Sequence, residues 1–208
     1  MNSQTTFQLG TLYLIPNTLG VYGTDGAQDT LRAVLAPQVV ETTARLQHFV
    51  VETAKVARQF LKAVGTQTPL QELQLTELNV KTPDAAVKDM LAPLLAGHDV
   101  GLLSDAGCPA VADPGARLVE AAHAAGVRVV PLVGPSSFLL ALMGSGLNGQ
   151  KFAFHGYLPI DAAARLKEVK RLESESKAHA QTQLFIETPY RNMPLLDTLL
   201  KTLNANTQ

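Results

Sequence analysis

The sequence predicts an α/β fold built as two α/β domains with a ligand crevice between them. Three observations predict it. Short apolar runs alternate with helix-length amphipathic segments along the chain. One such run, Val100–Leu103, leads into Ser104-Asp-Ala-Gly-Cys-Pro-Ala-Val-Ala-Asp-Pro-Gly115, a stretch rich in Gly, Pro and Asp. Open α/β sheets build their ligand crevices from segments of this kind, at the carboxyl ends of the strands. Finally, Pro131 and Pro135 bracket Leu132-Val-Gly134, a place for the chain to pass between lobes, which gives domains at 1–133 and 134–208.

Taken in order, Leu12–Ile15 reads as a strand ended by Pro16, and 25–36 as a helix with Leu31, Val34 and Leu35 on its apolar side. Phe49–Val51 reads as a strand, and Thr53–Val64 as a helix closed by Gly65. Thr82-Pro-Asp84 has the form of a helix start, with Thr as N-cap and Pro at the first position. Pro93 should kink or end that helix, and Gly97 should stop the segment. Strand Val100–Leu103, helix Ala116–Ala125 capped by Gly126 and strand Val127–Leu132 make a βαβ unit, which implies parallel strands. Helix Ser136–Met143, strand Phe152–Phe154, helix Ala162–Ser176, strand Gln183–Ile186 and helix Pro189–Leu203 follow. Two strands make a thin second sheet, so the second domain is expected to be incomplete in this chain.

Composition sets bounds. The 208 residues are 46% hydrophobic, ample for a core, and no apolar run reaches the ~18 residues a membrane span needs. The start, Met1-Asn-Ser-Gln-Thr-Thr6, lacks the features of a secretory signal. Cys108 is the single cysteine, so no internal disulfide can form and a reducing cytoplasm is expected. Seventeen basic residues against eighteen acidic give a net charge of −1, without the basic excess common in nucleic-acid binders. Lys167, Lys170 and Arg171 share one helical face, but Glu168, Glu173 and Glu175 alternate with them, as on a solvated helix.

Some familiar sites are excluded. Gly144-Ser-Gly-Leu-Asn-Gly149 matches the dinucleotide fingerprint, which needs a strand before it and a helix after it. Here an apolar helix precedes it and a strand follows, so glycine capping of that helix explains it better. His48, His98, His123, His155 and His179 are scattered without an i, i+4 pair, and no metal site is expected.

The loop 104–115 is the richest candidate. Its small residues let a ligand approach the backbone, while Ser104, Asp105 and free N–H groups offer polar contacts. The alternative is a loop that merely turns the chain. Ser136, before an apolar run, has the form of a helix N-cap, a role compatible with ligand contact.

Those residues carry a resemblance. Ser104-Asp-Ala-Gly-Cys-Pro109, Asp113-Pro-Gly115 and Val129-Val-Pro-Leu-Val-Gly-Pro-Ser-Ser137 resemble the tetrapyrrole-methylase superfamily of S-adenosyl-L-methionine-dependent methyltransferases. Gly10–Pro16, Phe152–Pro159 and Leu184–Arg191 match in the same order. The branch resembled most is the one that 2′-O-methylates a cytidine of small-subunit ribosomal RNA. The resemblance implies cofactor contacts from Pro16, Ser104, Asp105, Ala106, Gly107, Ser136, Ser137, Glu187 and Thr188, with the serine-bearing loops following adjacent parallel strands. It also implies a homodimer in the cytoplasm. At position 108 the family more often has Thr, which favours a packing role for Cys108.

Two segments depart from the branch. Pro16-Asn-Thr-Leu-Gly-Val21 stands where it has Pro-Thr-Pro-Ile-Gly-Asn, and Glu52-Thr-Ala-Lys55 where it has Glu-Asp-Thr-Arg. The Gly-Pro-Gly-Asp opening loop of tetrapyrrole methylases is also missing. Three functions therefore stay open: methylation of ribosomal RNA, methylation of a tetrapyrrole or other small molecule, and a catalytically silent cofactor- or RNA-binding protein. An RNA substrate would need a local basic patch, for which Lys55 and Arg58, one turn apart, and Arg191 are the candidates. The alternative for Lys55 and Arg58 is the solvated side of an amphipathic helix.

Overall fold

In the computed structural model, residues 8–20 and 27–207 are described, with backbone alone for 27–30. The chain divides into two units, Met1–Ser136 and Ser137–Gln208.

Among the described residues of the first unit, five strands form one parallel sheet. They are β1 (Thr11–Ile15), β2 (His48–Val51), β3 (Gln74–Glu77), β4 (Val100–Leu103) and β5 (Arg128–Pro131), in the order β3-β2-β4-β1-β5. β4 is buried along its whole length, as an uninterrupted apolar run in a central parallel strand should be. Gly101 fits there because a Cβ would meet Ile15 and Phe49 on the neighbouring strands at 2.6 and 2.7 Å.

Side-chain alternation divides the core between the two faces of the sheet. Phe49, Val51, Ile15 and Leu103 pack on one face with Leu31, Leu35, Val39, Phe60 and Leu61. These come from α1 (Ala27–Val34), α2 (Pro37–Arg45), α3 (Ala54–Val64) and the residue after α1. Val50, Leu12, Val100 and Leu102 pack on the other with Val87, Leu94, Leu118 and Ala122. Those side chains belong to α4 (Asp84–Asp89), α5 (Ala92–Leu95) and α6 (Ala116–Ala124).

Topology locates the crevice within this sheet. The connection leaving β1 runs one way to β2, and the connection leaving β4 runs the other way to β5, yet β1 and β4 are neighbours. Adjacent strands with diverging connections form a topological switch point, where open α/β sheets bind ligands. Registers Ile15↔Leu103 and Val51↔Leu103 bring Pro16, Glu52 and Ser104 to one edge.

In the second unit, β6 (Phe152–Tyr157) and β7 (Thr182–Ile186) pair in parallel. α7 (Ser137–Ser145), α8 (Ala162–His179) and α9 (Asn192–Thr202) accompany them, and a 3-10 turn, Pro189–Arg191, precedes α9. Leu158, Val169, Leu172 and Leu195 form its buried core. Asp161 caps α8, accepting from the Ala164 N–H at 2.8 Å.

Several expectations need correction. The β4–α6–β5 unit is parallel, but β1 lies between its strands, so the loops after β4 and β5 flank the β1 loop instead of adjoining each other. α2 and β3 were not expected. The N-cap of α4 is Pro83, one residue later than read, and Thr82 Oγ1 instead accepts from the Asn79 N–H at 3.0 Å. Asp25 and the side chains of the first α1 residues lie outside the description. Gly146, at φ 71°, follows α7 directly, which agrees with a capping role for Gly144–Gly149.

Candidate cofactor site

The site begins with two interlaced loops. Asn17, 1% exposed, follows Pro16 at the end of β1 and donates through Nδ2 to the carbonyls of Ser104 (3.2 Å) and Asp105 (3.1 Å). Its own N–H donates to Gly107 O at 2.8 Å, and the Gly107 N–H returns to Thr18 O at 3.3 Å. Gly107 adopts φ 68°, a left-handed conformation that favours glycine. The Ser104 hydroxyl is buried and donates within the loop, to Ala106 O at 3.1 Å.

Asp113 supports the rest of the loop, accepting from Ala110 N–H (2.9 Å) and Gly115 N–H (2.6 Å). Burial raises its carboxyl above the ordinary aspartate value, against the pull of those two N–H donors. The N–H groups of Asp105, Gly107, Ala110 and Gly115 all have protein acceptors. The free N–H groups expected of this loop therefore do not include these four, which hold the loop itself.

The third wall is the segment after β5. Gly134 lies against Pro16, and the Cys108 thiol donates to Pro135 O at 3.3 Å. Burial raises the thiol above its ordinary value, so Cys108 stays protonated and serves as a link between loops. Ser136 is buried, and its Oγ has no hydrogen-bond partner among the described residues. It therefore does not cap α7, contrary to one reading of the sequence. A buried hydroxyl without a partner is costly, by about 1–3 kcal/mol. Ligand contact would remove that cost.

Sequence reasoning missed Asn17, Thr18 and Glu52. Glu52 follows β2, and its Oε2 accepts the Asp105 N–H at 3.0 Å. Burial raises its carboxyl, the Asp105 N–H opposes this, and the charges of Asp105 and Asp113 add to the rise. Thr53 Oγ1 donates to Asp105 Oδ2 at 2.7 Å, whereas Asp105 Oδ1 accepts no bond among the described residues. The altered Glu52-Thr-Ala-Lys55 motif was visible; its connection to Asp105, 53 positions away, was not.

The remaining expected residues divide between the units. Pro16, Ser104–Gly107 and Ser136 come together in the first. Ser137 opens α7 in the second and is exposed. Glu187 and Thr188 follow β7, where Glu187 Oε1 accepts from the Thr188 N–H and from Arg191 Nε, both at 2.7 Å. Arg191 is thus held by a carboxylate, its side chain 16% exposed. Lys55 and Arg58 are exposed on α3 and make no ion pair among the described residues. Arg171 pairs with Glu168 and Glu175, as on a solvated helix. A groove of about 850 Å³ in the second unit, lined by Val169, Leu172, Phe185 and Leu199 among others, contains none of the expected site residues. Among the described residues, no three His, Cys, Asp or Glu side chains gather as metal ligands.

With this geometry in view, comparison with known proteins is direct. The family model for tetrapyrrole (corrin/porphyrin) methylases matches residues 24–208. A protein of Mesorhizobium japonicum named ribosomal RNA small subunit methyltransferase I is 35% identical over 194 residues, which cover 93% of this chain and 60% of that protein. A protein of the same name from Xylella fastidiosa is 32% identical over 182 residues, 88% of this chain and 60% of that one. The chain thus spans about three fifths of the length of these relatives. The crystal structure of the methyltransferase CobJ shares the fold, with a TM-score of 0.60 at 18% identity over 94% of this chain and 77% of that one. By sequence and by fold, the chain belongs to the tetrapyrrole methylase family.

Proposed function

We propose that this chain carries the S-adenosyl-L-methionine site of a methyltransferase acting on small-subunit ribosomal RNA, with the 2′-hydroxyl of a cytidine as acceptor. The observation that carries the cofactor reading is the buried Ser136 hydroxyl, which has no partner among the described residues and directly follows Gly134 and Pro135, held against Pro16 and Cys108. Asp105 Oδ1 adds an acceptor suited to a ribose hydroxyl, and Pro16 and Gly134 an apolar wall suited to a flat ring. The residues present fit the group. S-adenosylmethionine supplies a methyl already activated on its sulfonium, so the protein must chiefly bind and orient the reactants. In this reading Asp105 and Ser136 hold the cofactor, while Asn17 and Asp113 fix the loops in the binding shape. Ala106 and Gly107 contribute backbone.

The RNA reading is supported by the relatives' names and by Lys55 and Arg58, exposed and without acidic partners among the described residues. A second reading, methylation of a tetrapyrrole or other small molecule, is favoured by the net charge of −1 and by the engagement of Arg191. A cytoplasmic homodimer belongs to the same proposal; no described helix is long and apolar enough to cross a membrane.

Methyl-labelled cofactor incubated with the protein and either small ribosomal subunits or tetrapyrroles separates the readings. Label at a cytidine 2′-oxygen is the expected result. Label in the small molecule supports the second reading, and binding without transfer a silent binding protein.

A further inference from the structure

We propose that Glu52 and Thr53 form a positioning brace that aims Asp105 at the cofactor; this rests on the cofactor reading above. The two residues follow β2, and Asp105 follows the adjacent strand β4, so the brace spans neighbouring strand ends. Glu52 takes the Asp105 N–H at 3.0 Å, fixing the backbone, and Thr53 donates to Oδ2 at 2.7 Å, fixing the carboxylate. With both constraints in place, Oδ1 is the carboxylate oxygen that, among the described residues, is left to accept from a ligand. A rotor held in its binding orientation loses less entropy when the ligand arrives.

Thr53 is well placed for this single task. It is the N-cap residue of α3, yet its side chain makes no capping bond, because the hydroxyl points to Asp105 instead. A threonine at an N-cap ordinarily accepts from the helix it begins. Here that local bond is replaced by a donation across 52 positions.

Calorimetric titration of S-adenosylhomocysteine into the full 208-residue chain tests the brace, using Thr53→Val, Thr53→Ser, Asp105→Asn and the double variant Thr53→Val/Asp105→Asn. Hydrogen bonds to charged groups are worth enough that Thr53→Val should weaken binding by about tenfold, with Thr53→Ser close to wild type. The double variant should bind no worse than Asp105→Asn alone, since the hydroxyl acts through the carboxylate. Thr53→Ala supplies the same comparison should the valine variant fold poorly. Unchanged binding in Thr53→Val and Thr53→Ala, or losses that add in the double variant, would overturn the brace while leaving the site intact. Unchanged binding in Asp105→Asn would instead overturn the cofactor role of Asp105, and the brace with it.

Discussion

Gly134 lies so close to Pro16 that a Cβ at position 134 would fall 2.1 Å from the proline Cβ. The ring cannot turn aside, because its own backbone ends β1 between β4 and β5. Gly134→Ala must therefore push the two loops apart. Overpacking of this kind destabilises by about 1–3 kcal/mol. Denaturant unfolding should show that loss, and S-adenosylhomocysteine binding should weaken with it.

Asn17→Ala should cost about 1–3 kcal/mol of stability, because it leaves the buried Ser104 carbonyl and the half-buried Asp105 carbonyl without their donor. Asn17→Asp should be worse, since a carboxylate would face the Ser104 and Asp105 carbonyl oxygens. Denaturant midpoints of the two variants check both the size and the order.

Glu52 gives a pH dependence of defined sign. Its carboxyl is raised in the folded chain by burial first and by Asp105 and Asp113 next. The folded state therefore holds the proton longer than the unfolded state, so this contribution is present in acid and is lost as pH rises through the folded value. Glu52→Gln keeps an oxygen for the Asp105 N–H and removes the charge. The variant should melt above wild type at neutral pH and equal it in acid, below the ordinary glutamate value. Because Glu52 is half-buried, solvent screening holds the gain below about 1 kcal/mol, or about 1–3 °C. Melting temperatures across the pH range decide it.

The sequence showed those parts of the fold where burial and punctuation agree. β4 was legible because a central strand is apolar throughout, and α3 because Gly65 closes it at φ 78°. β3 was not legible: Gln74-Leu-Thr-Glu77 lies at the sheet edge, mostly exposed, and carries no apolar pattern. The Pro37 start of α2 was a signal that went unread. The insertion of β1 between β4 and β5 leaves no local trace, since strand order is set by long-range packing. For the same reason the loop at 104–107 was legible as a strand-end turn, but its dependence on Asn17 and Glu52 was not.

Charge reversal at Lys55 and Arg58 should weaken binding of small-subunit ribosomal RNA while cofactor affinity stays within about twofold. Each lost phosphate contact should lower the salt slope by about one. Binding measured across a salt series reads both quantities. An unchanged slope would assign these side chains to simple solvation of α3 and favour a small-molecule substrate.

The most direct test of the cofactor site is a backbone amide NMR titration of the chain with S-adenosylhomocysteine. Saturable shifts are expected at Asn17, at Ser104–Gly107 and at Ser136, with Ser136→Ala weakening binding by about tenfold as its buried hydroxyl loses a ligand partner. Saturable shifts confined to the second-unit groove around Leu172 and Phe185, with those loops unmoved, would contradict the account.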